Sequence, residues 1–204
     1  NLPDVRSSFH TTNVSLQYPL TEDEFYPRRI FASLEAVGAF IQTALQSAYT
    51  SAEHDEYMLL KYLLIKSVTR GRLHAIATDG TPKGIVKKAR TLAQQLQFYS
   101  TKHNQSGLHT FTKTENLYMF LTAEQIAELD VEVLATAFNM EKSEFMGHVL
   151  TMPDFDEFDN DHFSEIKDGQ FEPVTAEELA LMQKVSALLF DSEWIQWYDV
   201  VRTT

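Results

Sequence analysis

The stretch DVEVLATAFNMEKSEFMGHVLTMPDFD, residues 130–156, tells most about the fold of this chain. Its first part predicts a helix capped by Asp130, because the apolar residues fall on one side: Val131, Val133, Leu134 and Ala137. A turn follows, and the apolar run His148–Met152 has the length of a short strand that ends at Pro153. A helix and a strand so close together predict a mixed fold.

A much longer helical pattern lies upstream, over about residues 33–70. Ser33 is its predicted N-cap, and Arg70-Gly71 supplies the cation and the glycine that favour a helix C-terminus. About 37 residues at a rise of 1.5 Å would span about 55 Å. A break near Ser51, which would give a pair of helices, is the alternative.

The remaining elements follow from local signals. A second helix is predicted from Thr81-Pro82 to about Tyr99, and a last one from about Thr175 to Val185. Capping boxes are predicted at Thr122–Gln125 and Thr175–Glu178. The apolar run Leu117–Leu121 predicts a strand in the centre of a sheet. Further strands are predicted at residues 13–20, 73–77, 187–190 and 194–201. Helices and strands alternate without a βαβ rhythm, which favours an α+β fold.

Composition restricts the class of protein. The chain has 204 residues, of which 44% are hydrophobic and 23% charged, as in ordinary globular proteins. The net charge is −12 and is uneven: residues 1–103 carry 12 Lys and Arg against 9 Asp and Glu, and the rest carry 5 against 20. The acidic second half would repel nucleic acid. The charge difference also permits attraction between the first half of one copy and the second half of another.

The usual catalytic and cofactor motifs are missing from the sequence. Cysteine is absent, which excludes disulfides, thiolate zinc sites and a cysteine nucleophile. HExxH, GxSxG, GxxxxGK[ST] and GxGxxG do not occur. No cofactor is therefore expected. No apolar run is long enough to span a bilayer, and no signal peptide is recognised. Asn1 is not an initiator Met, so we expect a fragment or a processed product.

A metal site is the main chemical alternative. The acidic loop 154–162 fails the EF-hand spacing, since Asp159 stands where glycine is required. We therefore expect a solvated loop and no metal. The weaker alternative is a metal-dependent hydrolase with Asp159, Asp161, His162 and Glu165 as its polar groups. His54, beside Asp55 and Glu56, is a possible acid/base group, but a charged surface cluster is the stronger interpretation.

Several side chains are candidates for contacts between subunits. The cations of the second helix, and the pair Arg28-Arg29, fit solvent-exposed positions or a contact with an acidic neighbouring subunit. The segment 194–198 is apolar on both faces of its predicted strand, which fits core packing or an interface. The candidate interface residues are Arg28, Arg29, Lys83, Lys87, Lys88, Arg90, Trp194 and Trp197.

Segments along nearly the whole chain resemble, in the same order, the major capsid proteins of tailed bacteriophages. The resemblance is carried by PDVRSSFHT at residues 3–11, by residues 33–71 with HDEY and KYLL, by AFNMEKSEFMGH at 137–148, and by QFEPVT at 170–175 with ALLFD at 187–191 and Trp194. The resemblance implies the Hong Kong 97 capsid fold. It also implies a structural protein of the virion, without enzymatic activity, that forms hexamers and pentamers of a head shell.

The resemblance also implies a division of the chain. Residues 1–72 would form a peripheral domain with the spine helix, about 33–70, residues 73–188 an axial domain, and residues 189–204 strands that return to the peripheral domain. The family's N-terminal arm and last strands are not found, so we expect a chain truncated at both ends. Copies of the chain are the expected partners, with scaffolding and portal proteins as further ones and no membrane. A bacterial compartment shell of the encapsulin type, or a prophage-derived relative, is the alternative.

Overall fold

A computed structural model describes residue 14 and residues 34–103, 107–138, 140–166 and 171–194. These residues form an α+β structure, as predicted. The helices are α1 (Leu34–Thr69), α2 (Pro82–Gln95), α3 (Ala123–Glu128), α4 (Val131–Ala137), α5 (Lys142–Met146), α6 (Asn160–Ile166) and α7 (Ala176–Met182). A 3-10 turn covers Thr114–Asn116, and the strands are β1 (Leu117–Thr122), β2 (Val149–Met152) and β3 (Leu188–Asp191).

The described residues fall into two compact units. The helical unit contains residues 34–60 of α1 together with 159–166 and 171–172, and the sheet unit contains residues 61–103, 107–138, 140–158 and 173–194. No helix within the described ranges combines the length and apolar character that a membrane crossing requires.

The sheet of the sheet unit has the strand order β2-β1-β3. Strand β1 runs parallel to β2, with Met119 opposite Val149, and antiparallel to β3, with Leu117 opposite Asp191. The prediction that 117–121 forms a central strand is confirmed. Strand β1 has a neighbouring strand at each edge, and most of its apolar side chains on both faces of the sheet are buried.

One face of β1 belongs to the main core of the sheet unit. Leu117, Met119 and Leu121 cluster there with the buried sides of α2 and α4. The members of the cluster from these two helices are Ile85, Ala89, Ala93, Leu134 and Ala135. Burial of each large aliphatic side chain contributes about 1.5–3 kcal/mol to the free energy of folding, so this cluster stabilises the sheet unit.

Local capping fixes where the short helices begin. The Thr122 hydroxyl accepts a hydrogen bond from the Gln125 N–H at 3.3 Å, and the Gln125 side chain accepts one from the Thr122 N–H at 3.0 Å. Thr175 and Glu178 form the same reciprocal pair. The Asp130 carboxylate accepts from the Val133 N–H at 3.3 Å and so caps α4. The caps predicted at Thr122, Thr175 and Asp130 are confirmed.

The long helix is confirmed over Leu34–Thr69 as one element, so the alternative of a break near Ser51 is wrong. The chain leaves it through Gly71, whose φ of 66° suits a residue without a Cβ. Helix α2 begins at Pro82, as predicted, but ends at Gln95 rather than near Tyr99. Likewise, α7 ends at Met182 rather than near Val185.

The strand predicted at residues 73–77 is wrong. These residues have no regular secondary structure, and only Leu73 and Ile76 are even partly buried. A strand needs a neighbour for its backbone groups, and alternation of side chains does not supply one. The strands predicted at residues 13–20, apart from Val14, and at residues 195–201 lie outside the described residues, as does the N-cap predicted at Ser33.

Candidate assembly surfaces

The basic residues of α2 lie on the side of the helix that faces away from the core. Ile85, Ala89 and Ala93 are buried, at 8%, 6% and 1% exposure, and define the inner side. Lys87 and Lys83 lie at the helical angles farthest from that side, and Lys88 and Arg90 lie on its two flanks. All four cations are exposed. The predicted solvated basic face is therefore present in the sheet unit.

Exposed aromatic residues lie just beyond the C-terminus of α2. Phe98 is 72% exposed, Tyr99 71% and Phe111 45%. The rings of Tyr99 and Phe111 are 4.8 Å apart between centroids, because the backbones of Ser100 and Thr110 pair in an antiparallel bridge. Sequence reasoning missed this pair, since the two residues are separated in the chain and only the bridge brings them together.

The loop that carries these aromatics also contains His103, which has a positive φ of 61°. Its ring lies edge-on to that of His74, with centroids 5.4 Å apart. Burial lowers the pKa of His103 below its usual 6.5, and the nearby charges of His74 and Lys102 lower it further. The lowered pKa favours the neutral ring near pH 7, so the lysines and arginines supply the fixed positive charge of this region.

Trp194 is half-buried at the end of β3. Its ring contacts that of Phe190, with centroids 5.8 Å apart. The backbone N–H of Trp194 donates to the backbone carbonyl of Asp191 at 2.9 Å. Phe190 in turn stacks on Phe120, 5.0 Å away, on the second face of the sheet. Trp194 thus extends an aromatic row across β1 and β3. Arg28, Arg29 and Trp197 lie outside the described residues.

Two lysines near the C-terminus of α1 form ion pairs within the sheet unit. The Lys66 ammonium donates to the Glu178 carboxylate at 2.7 Å and to the Pro173 carbonyl at 3.0 Å. The Lys61 ammonium donates to the Asp154 carboxylate at 2.6 Å. Both lysine side chains are nearly buried, at 6% and 7% exposure. The interpretation of 154–162 as a wholly solvated acidic loop is wrong for Asp154.

Sequence reasoning missed these lysines, although a signal was present. Lys66 follows Leu64 and Ile65, which are among the most buried residues of the chain. A buried ammonium group needs an anionic or carbonyl partner. Such a position therefore predicts a partner, but not which carboxylate supplies it.

The helical unit places His162 beside Asp55. The Nε2 atom of His162 lies 3.0 Å from Oδ1 of Asp55, and its ring is 4.9 Å from that of His54. Asp55 is 7% exposed, so the predicted exposed charge cluster at 54–56 is wrong for this residue. Helix α6 brings His162 into place, because the Asp159 carboxylate accepts from the N–H groups of Asp161 and His162.

These contacts leave little support for the hydrolase alternative. Asp159 is engaged as the cap of α6, whereas Asp161 and Glu165 are exposed. Among the residues that the structure describes, no three His, Asp or Glu side chains converge as metal ligands. His162 and Asp55 form a hydrogen-bonded pair of a kind that also occurs in purely structural settings.

The sequence of this chain is similar to those of several phage major capsid proteins. The chain is 29% identical over 162 residues to the major capsid protein of Bacillus phage B103 and 31% identical over 162 residues to that of Bacillus phage PZA. In both cases the match covers 76% of this chain and 36% of the relative. The chain thus spans about a third of the length of these relatives. The major capsid protein of Streptococcus phage Cp-1 is 23% identical over 175 residues, which covers 76% of this chain and 47% of that protein.

The sequence model of one protein family matches residues 1–204, the whole chain. Its members are structural proteins of a virion and not enzymes, so neither the encapsulin nor the hydrolase alternative is favoured. The predicted resemblance to phage major capsid proteins is thereby confirmed, and the chain belongs to the family of Phi29-like phage major capsid proteins.

Proposed function

We propose that the intact protein associates with copies of itself to form the shell of a phage head. The observation that carries this proposal is the family match over residues 1–204. The buried core of the sheet unit serves stability, while the cations of α2 and the rings of Phe98, Tyr99 and Phe111 remain at the surface, as an assembling subunit requires. A shell needs complementary surfaces of about 1,200–2,000 Å² for each stable contact and no catalytic cleft.

We further propose the Hong Kong 97-type capsid fold for this chain. In this proposal residues 1–72 belong to a peripheral domain, residues 73–188 to an axial domain, and residues 189–204 return to the peripheral domain. Helix α1 supports the assignment of a spine helix, since its 36 residues span about 54 Å. A helix of that length stiffens the chain along the helix axis.

The proposed contacts between subunits use the residues identified from the sequence. Lys83, Lys87, Lys88 and Arg90 are available for such contacts in the sheet unit, because all four side chains are exposed. Trp194 retains partial exposure at the end of β3. Arg28, Arg29 and Trp197 remain proposed interface residues on sequence grounds. Scaffolding and portal proteins are proposed as further partners in the host cytoplasm during assembly.

The test of this function is assembly of the intact protein. Purified protein, with and without a co-expressed scaffolding protein, is examined by dynamic light scattering and electron microscopy over a range of concentrations. We expect closed particles or their ring-shaped subassemblies. Strictly monomeric protein under both conditions would contradict the proposal. A cryo-electron microscopy map of the particles then tests the proposed fold and domain division.

A further inference from the structure

The sheet unit contains two consecutive segments of opposite charge. Residues 80–114 contain six Lys and Arg and no Asp or Glu, whereas residues 115–144 contain seven Asp and Glu and one Lys. The two net charges are therefore +6 and −6. Two equal and opposite charges within one unit are unexpected for a chain with a net charge of −12. Each copy therefore carries a positive segment and a negative segment that could attract those of another copy.

The positive segment combines its charge with exposed aromatic area. We call Lys83, Lys87, Arg90, Phe98, Tyr99 and Phe111 the basic aromatic surface. Its cations are exposed on α2, Phe98 and Tyr99 follow the end of this helix, and the ring of Phe111 lies against that of Tyr99. Large exposed aromatic rings can anchor the centre of a protein interface, and charged residues can form its rim.

The negative segment combines exposed acidic residues with exposed apolar side chains. We call Glu128, Val133, Glu141, Glu144 and Met146 the acidic aliphatic surface. Val133 is 49% exposed and Met146 44%, and the three glutamates are exposed as well. Helix α4, which carries Val133, packs on α5, which carries Met146, so the two apolar side chains belong to one packed helix pair.

We propose that the basic aromatic surface of one copy docks on the acidic aliphatic surface of a second copy. This inference rests on the proposed function, of which it defines one contact. Both surfaces pair apolar area with charge, and the charges are opposite in sign. Two surfaces of the same kind repel each other, so the contact is head to tail. A head-to-tail contact continues from copy to copy and closes into a ring when the rotation permits.

Charge reversal in the intact protein tests this contact. Lys83→Glu with Lys87→Glu gives a copy with two acidic surfaces, and Glu141→Lys with Glu144→Lys gives a copy with two basic surfaces. Each variant alone should need at least about tenfold more protein to assemble, because like charges then face each other. The chain that carries all four changes should recover assembly. An equimolar mixture of the two variants should recover rings with an even number of copies, in which the two variants alternate.

The control is Glu157→Lys with Glu193→Lys, which matches the change in charge of Glu141→Lys with Glu144→Lys at exposed positions of the sheet unit outside either surface. It should assemble like the wild type. Wild-type particles together with an unaffected Lys83→Glu, Lys87→Glu variant would overturn the contact and leave the proposed function standing. A wild-type protein that never assembles would overturn the proposed function itself.

Cross-linking keeps the proposal testable even if a reversed variant fails to fold. Since the chain has no cysteine, Lys83→Cys in one copy and Glu141→Cys in another introduce unique thiols. Under mild oxidation after mixing, this pair should give several-fold more disulfide-linked heterodimer on non-reducing gels than Lys83→Cys mixed with Glu157→Cys. Equal yields from the two mixtures would overturn the proposed contact.

Discussion

The lysines at the end of α1 and those on α2 show how one residue type serves two different purposes. Lys61 and Lys66 are almost buried and donate to carboxylates at 2.6 and 2.7 Å. Lys83 and Lys87 are exposed on the side of α2 that faces away from the core. The first pair stabilises the folded sheet unit through its ion pairs. The second pair adds little to folding and is available for a partner.

The largest expected effect comes from Lys66→Met, which removes a nearly buried cation and leaves the Glu178 carboxylate without its counter-ion. We expect a loss of about 3 kcal/mol in the free energy of unfolding. For a chain of this size that corresponds to roughly 9 °C in Tm. Thermal and denaturant unfolding measure it. The variant with both Lys66→Met and Glu178→Gln keeps the helix cap and should regain stability; no recovery would contradict the pairing.

Lys61→Met should cost less, about 1–2 kcal/mol in the free energy of unfolding. Its partner Asp154 retains 27% exposure, so water can solvate that carboxylate once the ammonium is gone. The same unfolding experiments compare the two variants directly. A greater loss for Lys61→Met than for Lys66→Met would show that exposure of the partner does not determine the cost.

Acid should weaken the Lys66 contact in a defined range of pH. Burial alone would raise the pKa of Glu178, but the hydrogen bonds from Lys66, Thr175 and Thr69 and the Lys66 charge together lower it below 4.5. Its stabilising effect is therefore present above pH 4.5 and is lost as the pH falls through the lowered pKa. Urea unfolding at several pH values should show the advantage of the wild type over Glu178→Gln shrinking toward acid. A constant difference would contradict the lowered pKa.

The smallest expected effect on folding is that of Lys83→Ala with Lys87→Ala. Exposed positions of this kind change the free energy of unfolding by less than about 0.5 kcal/mol. Denaturant unfolding tests this, while assembly of the same variant should weaken. A loss above about 1 kcal/mol in unfolding free energy would place these lysines among the residues that hold the fold together.

Much of the fold could be predicted because its signals are local. The caps at Thr122 and Thr175 depend on residues only three positions away, and the central place of β1 follows from its continuous apolar run. The strand expected at 73–77 shows the limit of such signals. Alternation indicates a surface that could pair, but a distant neighbour decides whether it does.

The candidate surfaces also contain features that local sequence predicts and features that depend on distant residues. The basic face of α2 was predictable, since helical spacing alone separates its cations from its apolar side. The contacts of Lys61, Lys66 and Asp55 were not, because their partners lie 93, 112 and 107 positions away in the chain. The pairing of Tyr99 with Phe111 depends on the backbone bridge between Ser100 and Thr110. Each of these contacts is a product of tertiary structure.

The central position of β1 has a consequence for synthesis on the ribosome. Its neighbours β2 and β3 end at Met152 and Asp191, so the strand emerges well before either partner has been made. During that interval the apolar segment LYMFLT has two unpaired edges, a hazard when many nascent chains are close together. Protection of this strand by a chaperone until β3 has emerged would favour monomers that are ready to assemble over aggregates.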